Sequence, residues 1–182
     1  MLVRMSKLIE PPRVKLIIGL IFKTSSPIEK CIMNLQKRFG QVDFKSDPLA
    51  FDYTSYYEEE MGRELSRIII SYERLIKRDK LLNVKVTCSK LEQKYSKNGN
   101  REINIDPGYI AAEHLILATG KGFYHRPYLG KGVYADLTLV FKNKEFIPLE
   151  WTYPDYRTYT LRNLFKRIRE KYMNELQKES TL

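Results

Sequence analysis

Cysteine and histidine are scarce in this sequence, which limits the metal and thiol chemistry that it offers. The 182 residues hold two cysteines, Cys31 and Cys88, and two histidines, His114 and His125. The four residues do not stand at the spacing of zinc ligands, and each cysteine falls within a helical pattern. We therefore predict buried free thiols, and we interpret His114, at the edge of an apolar stretch, as structural.

The motifs of the common nucleotide-binding and hydrolytic enzymes are also absent. There is no G-x-x-x-x-G-K-[ST] phosphate loop, no H-E-x-x-H and no G-x-S-x-G. The runs 120–122 and 130–132 both read Gly-Lys-Gly, but His125 and Ala135 stand where a dinucleotide fingerprint needs its third glycine. The sequence therefore defines no reaction, and whether the protein is an enzyme stays open.

Apolar runs long enough for a membrane are missing too. The run 16–22 (LIIGLIF) is far shorter than the roughly 20 residues of a membrane span, and no small-residue cleavage site follows it. Nine glycines and eight prolines exclude a collagen-like or low-complexity chain. We predict that this run is a buried strand and that the protein is cytoplasmic, with no membrane partner.

The composition is that of one globular domain with a basic surface. With 43% hydrophobic and 30% charged residues, we expect a single α+β domain over 1–182, with 1–13 flexible. The 32 Lys and Arg against 22 Asp and Glu give a net charge of +10, which favours an anionic partner such as a nucleotide or RNA. The alternative is that basicity serves only solubility.

Apolar periodicity predicts the order βαββαβ, followed by further strands and a helix. This order matches a ferredoxin-like core with a C-terminal antiparallel strand extension and a final amphipathic helix. The first helix is predicted to begin at a capping box at 26–29 and to end at Gly40. The stretch 106–109 (DPGY) is predicted as a turn. We predict strands at 14–22, 41–46, 67–73, 102–106, 114–119, 133–141 and 146–149, and helices at 27–39, 79–96 and 159–177.

The loop 120–132 is the first candidate site, because it holds four of the nine glycines and three aromatic residues between two strands. Glycines let backbone N–H groups approach an anion, and arginine offers a bidentate fork. The candidate phosphate ligands are Lys121, Arg126 and Lys131, with Tyr128 beside them and His125 as the acid or base. The alternative is a structural hairpin loop.

The acidic insertion 51–62 is the second candidate. Three consecutive carboxylates and three tyrosines occur within it, and a helical turn would place Tyr56 and Glu60 on one face. Asp52, Glu58 and Glu60 could hold Mg²⁺, the candidate cofactor. The alternative is a solvated acidic face that pairs with a basic neighbour.

The segment 150–158 is the third candidate, since it combines the only tryptophan with carboxylates and an arginine. Trp151, Tyr156 and Arg157 suit the wall of a base or sugar pocket, and Asp106, after a predicted strand, is a further candidate ligand-binding residue. The alternative is a lid packed over the core.

Four stretches together resemble a known family: DYTSYYEEEMG (52–62), NIDPGY (104–109), HRPYLGKGVYAD (125–136) and EWTYPDYRT (150–158). The chain resembles an uncharacterised prokaryotic family, classed as a domain of unknown function, over about 14–176. Some members of that family are labelled GTP-binding proteins. The resemblance thus implies a nucleotide as one ligand to test.

Taken together, these patterns predict a protein that binds, and could turn over, a small phosphorylated ligand such as a nucleotide. The pocket would be formed by 120–132, 51–62 and 150–158. On this hypothesis Arg126→Ala weakens ligand binding and leaves the fold intact. The alternatives are an RNA-binding module, although the RNP signature is missing, and a non-enzymatic subunit that binds a protein partner.

Overall fold

The computed structural model describes residues 7–179. Residues 1–6, part of the segment expected to be flexible, and residues 180–182 lie outside this description. None of the described helices is both long and apolar enough to cross a membrane. The helices are α1 (Ile28–Phe39), α2 (Glu58–Met61), α3 (Leu81–Lys94) and α4 (Tyr159–Glu179). The strands are β1 (Val14–Phe22), β2 (Val42–Lys45), β3 (Leu49–Phe51), β4 (Leu65–Ile76), β5 (Ser96–Lys97), β6 (Asn100–Arg101), β7 (Ile103–Ile110), β8 (His114–Thr119), β9 (Tyr128–Gly130), β10 (Val133–Lys142) and β11 (Glu145–Pro148).

Nine of these strands form one antiparallel sheet, which confirms the predicted α+β class. The order across the sheet is β11-β10-β8-β7-β1-β4-β2, with β3 paired to β4 and β9 paired to β10. β5 and β6 form a separate hairpin. Because β1 lies in the middle of the sheet and both its neighbours are antiparallel to it, its backbone groups are satisfied on both sides.

The sheet is covered by helices on both faces, and the sequence of β1 reflects this: it is apolar apart from Lys15, whose buried ammonium is paired with Asp43 and Glu175. Leu16, Ile18 and Leu20 pack with α1 and α3 on one face, while Ile17 packs with α4 on the other. Side chains alternate between faces along a strand, so a strand that is covered on both sides is rich in apolar residues at successive positions. The predicted strand 14–22 is confirmed.

The C-terminal helix α4 supplies the second covering layer. Leu161, Phe165, Ile168 and Tyr172 are buried along one stripe of α4 against the sheet, as the spacing of apolar residues in the sequence predicts. Tyr172 donates a hydrogen bond from its hydroxyl to the carbonyl of Arg13 at 2.8 Å. This bond fixes the far end of α4 to the chain just before β1.

One end of the face that α4 covers is polar, and we call it the polar end. Arg67 of β4 and Asn104 of β7 lie opposite Ile21 of β1 in the strand register, and Asp106 lies opposite Gly19 in the next row. Asp136 of β10 pairs with Leu117 of β8. Because Arg67 lies two residues from Ile69, which packs in the core under α4, both side chains occupy the same face.

Three local predictions were wrong. The stretch 106–109 is not a turn but lies within β7; Pro107 is tolerated there because β8 pairs only with 108–110. Ser26 does not cap α1, since its hydroxyl donates to the carbonyl of Glu102 at 2.9 Å. The second long helix stops at Lys94, and Asn98 and Gly99, both with positive φ, form the turn of a hairpin after it.

Candidate functional site

The three predicted segments, 51–62, 120–132 and 150–158, lie in contact with one another. The ammonium of Lys121 lies 3.7 Å from the ring centroid of Tyr56, which joins the loop to the insertion. Arg126 donates a hydrogen bond to the hydroxyl of Tyr153 at 2.9 Å, which joins the loop to the third segment. Residues far apart in sequence therefore form one surface feature.

Arg126 is held by the protein itself. Its guanidinium donates to the carboxylate of Asp136 at 2.7 Å and to the carbonyl of Lys121 at 3.1 Å, besides Tyr153. The Asp136 side chain is 1% exposed and that of Arg126 10%. Since these bonds already use the guanidinium fork, Arg126 orders the loop and holds it to β10.

His125 lies against the same carboxylate. Its Nε2 atom is 3.5 Å from the carboxylate of Asp136, and its ring stacks on Trp151 with centroids 4.6 Å apart and planes 14° from parallel. Neither ring nitrogen has a hydrogen-bond partner among residues 7–179. The imidazole is buried between the loop and the third segment.

The tip of the loop contacts a different part of the molecule. Tyr128 is largely exposed and its ring packs on Tyr134. Lys131 is exposed in the turn before β10, next to Gly130, whose Cα faces the Leu82 side chain of α3. The loop thus lies beside α3 at Gly130, whereas Lys121 contacts the insertion.

The acidic insertion contains a helical turn, α2, and two of its carboxylates pair with arginines. Glu60 accepts hydrogen bonds from the Arg101 guanidinium at 2.6 and 2.7 Å, and these bonds hold the pKa of Glu60 below its usual range. Glu58 pairs with the exposed Arg63. Within residues 7–179 no three His, Cys, Asp or Glu side chains, Asp52, Glu58 and Glu60 included, are grouped to hold a metal ion.

The third segment is anchored to the sheet. The indole of Trp151 donates to the carbonyl of Leu137 at 2.8 Å. The guanidinium of Arg157 donates to the carbonyls of Thr152 and Glu150 at 2.7 and 2.6 Å. Trp151 and Arg157 therefore fix the shape of this segment. Tyr153 and Tyr156 lie at the polar end, where they contact Arg126 and Arg67 respectively.

Arg67 is the most deeply buried cation of the polar end, and sequence reasoning missed it. Its guanidinium lies between the rings of Phe51 and Tyr156, 4.7 and 5.0 Å from their centroids, and is paired with Asp155. The residue is 5% exposed, and its Nε atom has no hydrogen-bond partner in the described part of the chain. Burial raises the pKa of the Asp155 carboxyl, and the charge of Arg67 opposes this rise.

A cavity of about 270 Å³ opens beside Arg67. It lies between the insertion, β3 and the first turn of α4, a helix that has no acidic residue in its first turn. Its volume is near the lower end of ligand pockets, about 300 Å³. The lining residues are Leu49, Ala50, Phe51, Asp52, Tyr53, Arg67, Asp155, Thr158, Thr160 and Leu161.

Asp106 occupies the middle of the polar end. Its carboxylate accepts a hydrogen bond from Asn104 at 2.6 Å and lies 3.7 Å from the ammonium of Lys85. Asn104 also accepts from Arg101 at 2.8 Å, which links this pair to Glu60 of the insertion. The side chain of Asp106 is 27% exposed although it projects from a central strand, so the polar end is open to solvent there.

Several of these residues carried a signal that strand periodicity could have revealed. Arg67 shares a face with Leu65 and Ile69, and all three are buried. A charged residue at an inward position of an apolar strand is expensive to bury. The same argument applies to Asn104 and Asp136, which are both almost fully buried in strands. Asp155 and Tyr153 carry no such signal, because they lie in irregular structure.

Comparison with known proteins gives one match. A family model described as "Domain of unknown function (DUF4416)" matches residues 12–172. No curated protein and no solved structure matches the chain. The description of the family names no activity, so the GTP-binding label that the resemblance implied has no support in it.

Proposed function

We propose that the chain, which belongs to the family described as Domain of unknown function (DUF4416), binds a small phosphorylated ligand, such as a nucleotide, at the polar end. The description of the family names no activity, so the proposal rests on the geometry of the site. The ligand would lie where 51–62, 120–132 and 150–158 meet. Turnover of that ligand, with His125 as the acid or base, is part of the same proposal.

The change in character along one sheet face carries this proposal. Under the middle of α4 the face is built from Ile17, Ile69 and Leu115, whereas at the polar end the same face presents Arg67 and Asp106. Burying charged groups costs several kcal/mol each unless they are paired, and packing alone would be served by apolar residues. Polar groups gathered in this way are typical of a ligand site.

The balance of charges favours an anion near Lys121. Three other cations of the polar end are matched, since Arg67 pairs with Asp155, Arg126 with Asp136 and Arg101 with Glu60. Lys121 has no carboxylate partner among residues 7–179, and its ammonium contacts only the face of an aromatic ring.

An ammonium on a flexible stem can reach a phosphate as a point charge. The net charge of +10 would also attract such a ligand over a distance.

The fold bears on the alternative of RNA binding. We propose that β1, β2, β4 and β7, in the order β7-β1-β4-β2, form a ferredoxin-like core with α1 and α3 on one face. RNA-binding modules of this type stack bases on the open face of the sheet. Because α4 covers that face here, we favour a small ligand over RNA.

A thermal-shift screen tests the proposal. The purified protein would be heated with nucleotides, other phosphorylated metabolites and short RNA, each with and without Mg²⁺. A ligand at 100 times its Kd stabilises the native state by about 2.7 kcal/mol, which raises Tm by roughly 5–10 °C for a chain of this size.

The matched variants are Lys121→Ala and, as control, Lys142→Ala at the exposed far end of β10. We expect the shift to shrink in Lys121→Ala and to persist in the control. Equal shifts in both variants, or a shift with RNA alone, would contradict the proposal.

A further inference from the structure

Exposed apolar side chains are concentrated in the three segments that meet at the polar end. Among the described residues, eleven large apolar side chains are exposed, and seven of them lie in 51–62, 120–132 and 150–158. The neighbours Phe123 and Tyr124 are 59% and 73% exposed. Exposed apolar groups that cluster mark interaction sites, whereas single ones are ordinary. A ring exposed to this extent has an uncovered face that a ligand can reach.

Phe123 and Tyr124, which we call the aromatic platform, belong to a turn that the protein itself holds closed. The backbone N–H of Arg126 donates to the carbonyl of Phe123 at 3.0 Å, and the Arg126 guanidinium donates to the carbonyl of Lys121 at 3.1 Å. The two ring centroids of the platform lie 4.8 Å apart, and the ring of Tyr124 also contacts that of Trp151. Because these contacts order the rings before a ligand arrives, binding costs less conformational entropy.

An unpaired cation lies beside the platform. Lys121, three residues before Tyr124, has no carboxylate partner in the described part of the chain, and its ammonium lies 3.7 Å from the ring centroid of Tyr56. The guanidinium of Arg126 lies 5.8 Å from the ring centroid of Tyr153. Exposed aromatic rings and a free positive charge therefore occur side by side.

These two features select among phosphorylated ligands. Inorganic phosphate and sugar phosphates offer an anion but no flat group that covers an aromatic ring. A nucleotide offers both, since its phosphate is an anion and its base has π faces that stack on aromatic side chains. The three residues from Lys121 to Tyr124 span at most about 11 Å, which is within the reach of one nucleotide.

We infer that the aromatic platform stacks on the base of a nucleotide, with Tyr124 as the main stacking residue and Phe123 beside it. The inference rests on the proposed function and deepens it, because it assigns the phosphorylated ligand to the nucleotides. The phosphate of that nucleotide binds Lys121. Every base has a π face, so stacking alone does not choose among the bases.

The fluorescence of Trp151, the only tryptophan, reports on the platform. Its ring centroid lies 6.2 Å from that of Tyr124, so a base that stacks on Tyr124 should quench its emission. The probes are adenosine monophosphate, uridine monophosphate, ribose 5-phosphate and inorganic phosphate, each titrated into the full chain, with calorimetry to measure the affinity of probes that do not quench. Stacking one base strengthens binding about 5- to 150-fold, so both nucleotides should quench the emission and bind more tightly than ribose 5-phosphate by this factor.

Substitutions of exposed rings complete the test and leave the buried ion pairs intact. Tyr124→Leu removes the flat ring and should weaken nucleotide binding about fivefold or more, while the affinity for ribose 5-phosphate stays unchanged. Tyr124→Phe keeps the ring and should retain nucleotide binding. Tyr159→Leu, at a tyrosine of α4 that is 74% exposed, is the matched control and should change neither affinity.

The results that would overturn the inference differ from those that would overturn the proposed function. Equal affinities for the nucleotides and ribose 5-phosphate, or unchanged nucleotide binding in Tyr124→Leu, would overturn the stacking site and keep the proposed function. Tighter binding of flavin mononucleotide than of either nucleotide would also overturn it, because the platform would then serve another planar ring. The absence of binding with every phosphorylated probe would overturn both.

Discussion

The pair formed by Arg126 and Asp136 provides the sharpest prediction about the polar end. Their side chains are 10% and 1% exposed and are joined at 2.7 Å. Removing the cation leaves a buried carboxylate without its counter-charge, which costs about 3–5 kcal/mol. For a chain of this length we expect Arg126→Ala to lower Tm by roughly 10 °C. The buried pair thus replaces the earlier expectation that this substitution leaves the fold intact.

Urea unfolding of a double-mutant cycle measures this cost. Arg126→Met keeps most of the side-chain volume, and Arg126→Met combined with Asp136→Asn removes both charges. We expect the double variant to recover more than half of the stability lost in Arg126→Met, because no unpaired charge remains. A loss below about 1 kcal/mol in the single variant, or two losses that simply add, would refute the reasoning.

Three further predictions concern the rest of the fold. Burial raises the pKa of Cys31 to about 12 and raises that of Cys88 as well, so a thiol reagent should not label the native protein; rapid labelling without denaturant would contradict this. Gly108→Ala should cost about 1–3 kcal/mol in urea unfolding, because a Cβ there would lie 2.4 Å from a carbonyl oxygen of β8, while Gly120→Ala, with no atom closer than 4.0 Å, should be nearly neutral. Burial lowers the pKa of His114 below 6.5, so the native imidazole binds fewer protons than the unfolded one. The stability of the protein should therefore fall as pH drops below 6.5. NMR titration would check the pKa, and His114→Gln should make the stability less dependent on pH in this range.

The elements that could be predicted from sequence are those with one consistent burial pattern. β1 is apolar apart from Lys15 because it is covered on both faces, and α4 has one apolar stripe because it is covered on one. The prediction of a turn at 106–109 was wrong because Asp-Pro-Gly is typical of turns, whereas long-range pairing with β1 keeps this stretch in a strand. The residues of the stretch itself give no information about its pairing with β1.

The candidate site was only partly accessible from sequence. The three segments around it stood out through their glycines, carboxylates and aromatic residues, and the structure places them in contact. The roles of individual residues depended on partners that only the fold reveals, since Arg126 is bound by Asp136 and Glu60 by Arg101. Arg67 was missed because its inward position follows from the register of β4 against β1.

A crystal structure of the protein with its most stabilising phosphorylated ligand would test the central claim most directly. We predict difference density at the polar end, with a phosphate near Lys121 and the remainder of the ligand where 51–62, 120–132 and 150–158 meet. Density for the ligand at any other surface, with the polar end unchanged, would contradict it.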